Sequence, residues 1–179
     1  MFRRVKQFFS AILAKVNADD EVFLTDYLTI AEQKMFRQLT VPDQRHSLNV
    51  AYTAQQLAGR SPRLRLRLLI RAALLHDVGR AQHNLSTANK ILAVLLSATF
   101  PYFALQWAES DERPSNFSVI ERFHQSLFIY YHHGEIGARR LQELGSELEI
   151  IQMVARHHQL AASDDAAELV ILRQADQMN

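Results

Sequence analysis

Apolar residues recur along this chain at offsets of three and four, and almost nowhere in strict alternation. Phe2, Val5, Phe9, Ile12 and Val16 form one such stripe, with Arg3, Arg4, Lys6 and Lys15 mostly off it, which is the pattern of an amphipathic helix. The same periodicity predicts helices over 21–38, 41–58, 63–78, 117–131, 135–144, 147–158 and 165–176, and only five Gly and four Pro interrupt it. The expected fold class is therefore all-α, a single multi-helix domain. Local punctuation supports several boundaries. Thr40 can cap the third helix with Pro42 in its first turn, and Gly79 suits a left-handed residue past the fourth. Ser146 and Glu149 offer a capping box, and Ser163 or Asp164 can precede the last helix.

One segment stands apart. Between Lys90 and Glu109 lie 18 uncharged residues, ILAVLLSATFPYFALQWA, at the lower length limit for a membrane span. Ser97, Thr99, Pro101 and Gln106 argue instead for a helix broken near Pro101, buried or lying on a surface. The stretch SDERPSNFS that follows reads as a loop.

Composition narrows the class further. With 179 residues and 48% hydrophobic content, one domain can bury a substantial core. Twenty basic and 19 acidic residues nearly cancel, so charge gives no reason to expect nucleic acid as a partner. Arg63, Arg65, Arg67 and Arg71 read as a solvated face rather than a phosphate patch. The absence of cysteine excludes disulfides, thiolate metal sites and cysteine nucleophiles, leaving histidine and carboxylate as metal ligands. The uncharged run at 7–14 is too short for an export signal, so a cytoplasmic location is expected.

Against this background, several polar residues fall in phase with apolar stripes. His46 shares a face with Val50, Ala54 and Leu57. His76 continues Leu69 and Ala73, and Asp77 continues Ile70 and Ala73, so this adjacent pair straddles one inward face. Near the C-terminus, His157 is in phase with Ile150 and Val154, His158 with Ile151 and Val154, and Asp176 with Leu169 and Leu172. An inward polar group left unsatisfied costs several kcal/mol, and a carboxylate costs more. A divalent cation shared among the helices would satisfy them together, helped by the negative dipole end at the last turn that carries His76 and Asp77. A hydrogen-bond network, such as His76 with Asp176, would satisfy some of them without a metal.

The ordered set resembles the HD-domain superfamily of metal-dependent phosphohydrolases. His46 in RHSLNVA looks like its first histidine, His76 and Asp77 in LLHDVGR like its name-giving pair, and Asp176 in LRQADQMN like its last aspartate. HHGEIGARRLQELG resembles the His-Pro-Glu-Ile-Gly segment of one branch, with His133 at the histidine and Gly134 at the proline. His157 and His158 match the paired histidine of that branch. The resemblance implies an HD-type helical domain with a metal site in its core. His46, His76, Asp77 and Asp176 would hold a first ion, and His133, His157 and His158 would supply a second, with Asp77 bridging. Arg80 stands where relatives often carry lysine and is expected to contact substrate phosphate, with Asp77 the other catalytic residue. His132 is the alternative to His133 as ligand. His124 is expected at the edge of the core, and His83 is given no role.

Two departures from the superfamily matter. The Gly-Tyr-Pro motif of the cyclic-di-GMP branch is missing after the paired histidines, and Pro42 stands where some members add a glutamate for a third metal. The expected organisation is a helical N-terminal part at 1–40 packing on an HD-type domain at 41–179, with an apolar insert at about 84–116 within the 55 residues that separate Asp77 from His133. The expected function is hydrolysis of a nucleotide or small phosphate mono- or diester with one or two divalent ions, Fe, Mn, Zn, Co, Ni or Mg. The alternatives are a non-catalytic nucleotide- or partner-binding module and a di-iron oxygenase. A single span at 91–108 would place His76 and His133 on opposite sides of a bilayer, so a common metal site excludes it. Peripheral membrane contact through 1–16 or 91–108 and a homodimer are both compatible with the pattern.

Overall fold

The computed structural model describes residues 15–59, 64–81, 87–109 and 119–179. Most of the N-terminal stripe, the 60–63 break, His83 and the 110–118 loop lie outside the described residues. Those described form α-helices and one 3-10 turn, with no strand among them. The helical periodicity thus predicts the fold class correctly.

Where one helix over 21–38 is expected, the chain forms α1 (Ala18–Tyr27) and α2 (Ile30–Phe36). Each begins with a capping box, Asn17 with Asp20 and Thr29 with Glu32. The second box explains the break, because Thr29 in extended backbone serves the amides of the new helix and cannot continue the old one. α3 (Val41–Ala58) starts as expected, Thr40 accepting from the Asp43 amide with Pro42 in the first turn. α4 (Leu66–Leu75) ends earlier than the expected 78 and passes into a 3-10 turn, Val78–Arg80.

Gly79 is not a left-handed cap. Among the described residues, positive φ occurs only at Gly59 (56°) and Gly145 (75°). Gly79 is required for another reason: a Cβ there would lie 1.9 Å from the backbone oxygen of His133 and 2.7 Å from the amide nitrogen of Gly137. The turn is pressed directly onto the next long helix.

That helix, α7 (Val119–Glu143), is one element of 25 residues where two helices separated at 132–134 are expected. A glycine inside a helical pattern weakens it by about 1 kcal/mol relative to alanine but need not end it. Here Gly137 meets Gly79, and Gly134 faces the last turn of α8 (Leu148–Arg156). α9 (Ala167–Met178) completes the chain. Neither of the last two helices uses its expected cap, since Glu147 and Ala166 occupy the cap positions without a side-chain hydrogen bond. Ser146 Oγ lies 3.3 Å from Glu32 Oε1 as a donor. Asp165 accepts from Arg156, Arg173 and the Ala162 amide. A distant hydrogen bond has thus taken Ser146 from its local role, and the last helix starts at Ala167, past Ser163 and Asp164.

The arginine face is solvated at Arg65 and Arg67, as expected, and departs from that reading at Arg71. Arg71 is mostly buried between Glu32 and Glu147, Arg65 pairs with Glu149 and Glu168, and Arg67 lies over the Tyr27 ring. Arg63 lies outside the described residues.

Among the described residues two apolar clusters result. The larger joins α1 to α4, α8, α9 and Leu141 of α7, and buries Phe36, Leu48, Leu69, Ile70, Leu74, Leu75, Ile150 and Leu172. The smaller lies between α5 (Thr87–Thr99), α6 (Pro101–Ala108) and the N-terminal half of α7, around Ala93, Ala104, Ala108, Phe123 and Leu127. The break between α5 and α6 falls at Phe100, as Pro101 predicts. His124 sits at the edge of this cluster and bonds the Trp107 carbonyl at 2.8 Å. No helix among the described residues is long and apolar enough to cross a membrane.

Candidate metal centre

Five helices of the larger cluster deliver polar side chains to one place. α3 brings His46, the end of α4 brings His76 with Asp77 and Arg80 in the turn behind it, α7 brings His133, the end of α8 brings His157 and His158, and α9 brings Asp176. His76, Asp77, His133 and His157 are buried and form the floor. His46, Asp176 and Arg80 are partly exposed and His158 is exposed, so these four form an open rim.

The floor histidines share one geometry. Nδ1 of His76 lies 2.8 Å from the Ala73 carbonyl, Nδ1 of His157 lies 2.6 Å from that of Val154, and Nδ1 of His133 lies 2.9 Å from that of Tyr130. In each case the ring nitrogen donates to the carbonyl three residues earlier. For His76 and His157 these carbonyls belong to the last turn of a helix, where backbone oxygens lack an intrahelical partner. The bond fixes the tautomer, putting the proton on Nδ1 and leaving the Nε2 lone pair directed into the cluster. Two helix C-termini also aim their negative dipole ends at this point.

Asp77 lies at the centre, and its two oxygens face different groups. Oδ2 is 3.5 Å from His76 Nε2 and 3.9 Å from His46 Nε2. Asp176 Oδ1 joins the same side, 3.0 Å from His46 Nε2 and 3.7 Å from His76 Nε2. Oδ1 of Asp77 is 3.2 Å from His133 Nε2 and 3.1 Å from Arg80 Nε. His158 Nε2 lies 2.9 Å from His133 Nε2, and the His157 ring stands between the two halves, 5.2 Å from both His76 and His133. Ligand atoms thus gather in two groups sharing Asp77: His46 and His76, and His133, His157 and His158.

The protonation states follow from burial and charge. Burial acts to raise the Asp77 pKa, but Arg80, His76 and His133 outweigh it and hold the carboxyl well below its usual range. For Asp176, burial is likewise outweighed by the His46 hydrogen bond and the charge of His76, so its pKa is lowered. Burial pushes His76 down, and burial with the neighbouring imidazoles His76 and His158 pushes His157 further down. His158, exposed as a residue but with its ring packed on those of His133 and His157, is pushed down to about 4 by that desolvation and by His133. At His46 burial acts downward, but Asp176 and Asp77 raise its pKa overall. Ionised carboxylates and neutral imidazoles are the forms that bind a metal.

Four atoms test whether a cation fits. His76 Nε2, His157 Nε2 and both carboxylate oxygens of Asp77 are buried and make no hydrogen bond, although Arg80 and His133 stand within ion-pair distance of Oδ1. Orphaned buried groups of this kind cost about 1–3 kcal/mol each and more when charged. All four are donor atoms to metals, and all converge. The residues fit a divalent cation.

A family model described as HD domain matches residues 44–178. The chain belongs to the HD domain family. The match runs from within α3 to α9 and includes every residue of the cluster, which makes this all-α chain an HD domain. No curated protein and no solved structure matches the chain.

The structure brings all eight sequence-derived site residues together. It also separates His133 from His132, whose ring packs on Phe128 and whose Nδ1 lies 3.3 Å from Glu135, away from Asp77. What periodicity did not reveal is the apparatus that presses the turn onto α7. Arg140 donates to the Val78 carbonyl at 2.6 Å and also bonds Gln38, and Gly79 meets Gly137. The glycines at 134 and 137, one helical turn apart inside an unbroken pattern, were the available signal.

Proposed function

We propose that this HD domain hydrolyses a nucleotide or a small phosphate mono- or diester at the cluster around Asp77. The observation that carries the reading is the convergence of His76 Nε2, His157 Nε2 and both oxygens of Asp77, all buried and without hydrogen bonds. His46, His76, Asp77 and Asp176 would hold a first ion, and His133, His157 and His158 with the other oxygen of Asp77 are the ligands available to a second. A bound divalent ion would supply Lewis acidity toward a phosphoryl oxygen and an activated water at neutral pH.

The protein's own contribution is positional. The three Nδ1 hydrogen bonds hold the imidazoles without further reorganisation, which keeps the site pre-organised for charge. The rim of His46, Asp176, Arg80 and His158 is the side from which a substrate can enter. Arg80 places a permanent positive charge beside Asp77 at this rim, where a guanidinium can bond a phosphoryl oxygen as its charge grows.

The test is metal content of protein purified without a histidine tag, wild type beside Asp77→Ala, followed by a screen of phosphate esters. At least one ion per wild-type chain, lost from the variant, together with ester hydrolysis, is expected. No binding after reconstitution with iron, manganese, cobalt and zinc would overturn the proposal and favour a helical binding module. Iron with redox-dependent optical bands and no hydrolysis would instead favour an oxygenase.

A further inference from the structure

Arg80 has a second property, set by which atoms it touches. Its Nε lies 3.1 Å from Asp77 Oδ1 and its Nη2 lies 3.3 Å from His133 Nε2. Asp77 Oδ1 and His133 Nε2 are both ligand atoms of the His133, His157 and His158 half, and they lie 3.2 Å apart. Among the described residues no arginine or lysine ion pair reaches Asp77 Oδ2, which faces His46 and His76. The centre is therefore asymmetric: one half presents ligand atoms to one another, and the other already holds a cation that belongs to the chain.

We infer that the Arg80 guanidinium takes the place of a second metal ion, so that the working centre is one divalent cation at His46, His76, Asp77 and Asp176 beside a fixed organic cation on the other oxygen of Asp77. The inference rests on the metal-centre reading above. Three arguments support it. Among the described residues Asp77 is the only carboxylate among the ligands of the second half, the other three being imidazoles, which bring no negative charge, so this half has one negative charge to share. An arginine stays charged at any pH the protein will meet and already neutralises that charge. A second divalent ion would have to displace the guanidinium from both Oδ1 and His133 Nε2, and would then sit next to a first divalent ion and an expelled arginine.

The planar fork also explains why arginine suits this role. A guanidinium reaches the carboxylate and the imidazole through different nitrogens at once, while its remaining edge can meet a phosphoryl oxygen. A lysine ammonium is a point charge and would hold only one of the two contacts firmly.

The test is a titration of apo protein with Mn²⁺ and with Co²⁺, followed by calorimetry, by Co²⁺ absorption and by the exchange-coupled Mn²⁺ pair signal in electron paramagnetic resonance. Wild type, Arg80→Gln and Arg80→Lys would be compared, with circular dichroism and melting curves confirming that each is folded. Wild type is expected to bind one ion tightly and a second at least tenfold more weakly, with no coupled pair at one equivalent or two. Arg80→Gln should close that gap and give the coupled signal at two equivalents, and Arg80→Lys should fall between them. If Arg80→Gln does not fold, the lysine variant alone decides, through a smaller shift in the same direction. Two equally tight ions in the wild type, or a second-site affinity that the substitutions leave unchanged, would overturn the inference while leaving the metal-centre reading standing. No ion in either half would remove both.

Discussion

The body of the domain and its α5–α6 insert use apolar residues in opposite ways. In the body, Leu48, Leu69, Ile70, Leu74, Leu75 and Leu172 are fully buried, and charged residues either face solvent or pair. In the insert, the buried positions are chiefly the alanines 93, 104 and 108, with Phe123 and Leu127 from α7, while Phe100, Tyr102 and Phe103 are 64%, 82% and 56% exposed. Leu92 and Leu95 are also about half exposed, at 50% and 52%. Both regions are apolar in composition, so hydrophobicity alone does not distinguish them. The difference is size: large side chains turn inward where several helices meet, and outward where two short helices can approach closely over alanine. One helix, α7, takes part in both, packing on the insert through Phe123 and Leu127 and on the body through His133, Gly137 and Leu141.

The contrast can be broken hardest at the crossing of the turn and α7. Gly79→Ala drives a Cβ into the His133 carbonyl, and backbone at 1.9 Å cannot yield as a flexible side chain would. The expected loss is about 3 kcal/mol or more in urea unfolding, with metal binding weakened in any folded fraction, because His133 must move. Wild-type stability and unaltered metal binding would show that the close approach is not needed.

Next come the two cores themselves. Leu74→Ala in the body should cost about 2–5 kcal/mol, the range for cavity-forming truncations of fully buried leucine. Leu95→Ala in the insert should stay within about 0.5 kcal/mol, as an exposed position does. Equal losses at the two positions, measured by the same denaturant series, would dissolve the distinction.

A third test concerns polar ties that only the body shows at its N-terminal edge. Asp20 accepts from both Arg45 Nη groups at 2.8 Å and from Tyr52 at 2.9 Å, joining α1 to α3. Burial acts to raise its pKa, but these bonds and the Asn17 amide outweigh it, so the folded value lies below the ordinary one. A depressed folded pKa contributes stability above the unfolded value of about 3.9, and that contribution disappears as pH falls through the folded value. Asp20→Asn should therefore cost about 1–3 kcal/mol near neutrality, with the two stability curves converging at acid pH below about 4. A difference that stays constant down to pH 2 would assign the effect to packing rather than charge.

The smallest expected change in stability is at the insert surface. Phe103→Ser and Tyr102→Ser should leave the melting curve within about 0.5 kcal/mol of wild type, yet lower any concentration-dependent association seen by sedimentation, since patches of this kind favour contact with another surface. A fall in stability comparable to Leu74→Ala would mean that these rings are buried after all.

Much of this was legible from spacing. The helical class, the Thr40 start of α3 and the break at Pro101 follow from local rules that depend on a few neighbouring residues. The inward phase of His46, His76, Asp77, His157 and Asp176 could also be read from periodicity, because a helix places every third or fourth residue on one face. His133 came from resemblance of its segment, and periodicity alone does not separate it from His132. Other expectations failed for a common reason. The Ser146 box and the left-handed Gly79 are local preferences overridden by distant partners: Glu32 took Ser146, and α7 took the space beside Gly79. The unbroken α7 belongs with them, since its glycines serve packing rather than termination.

Sequence by itself determined that the chain is helical and which side chains of the cluster face inward, because both depend on intervals of a few residues. Only the tertiary structure decided that Asp77 turns one oxygen to His46 and His76 and the other to His133 and Arg80. That division depends on how far the 3-10 turn is pressed onto α7, and that distance is set by the missing Cβ atoms of Gly79 and Gly137, which lie 58 residues apart in the chain and in contact in the fold.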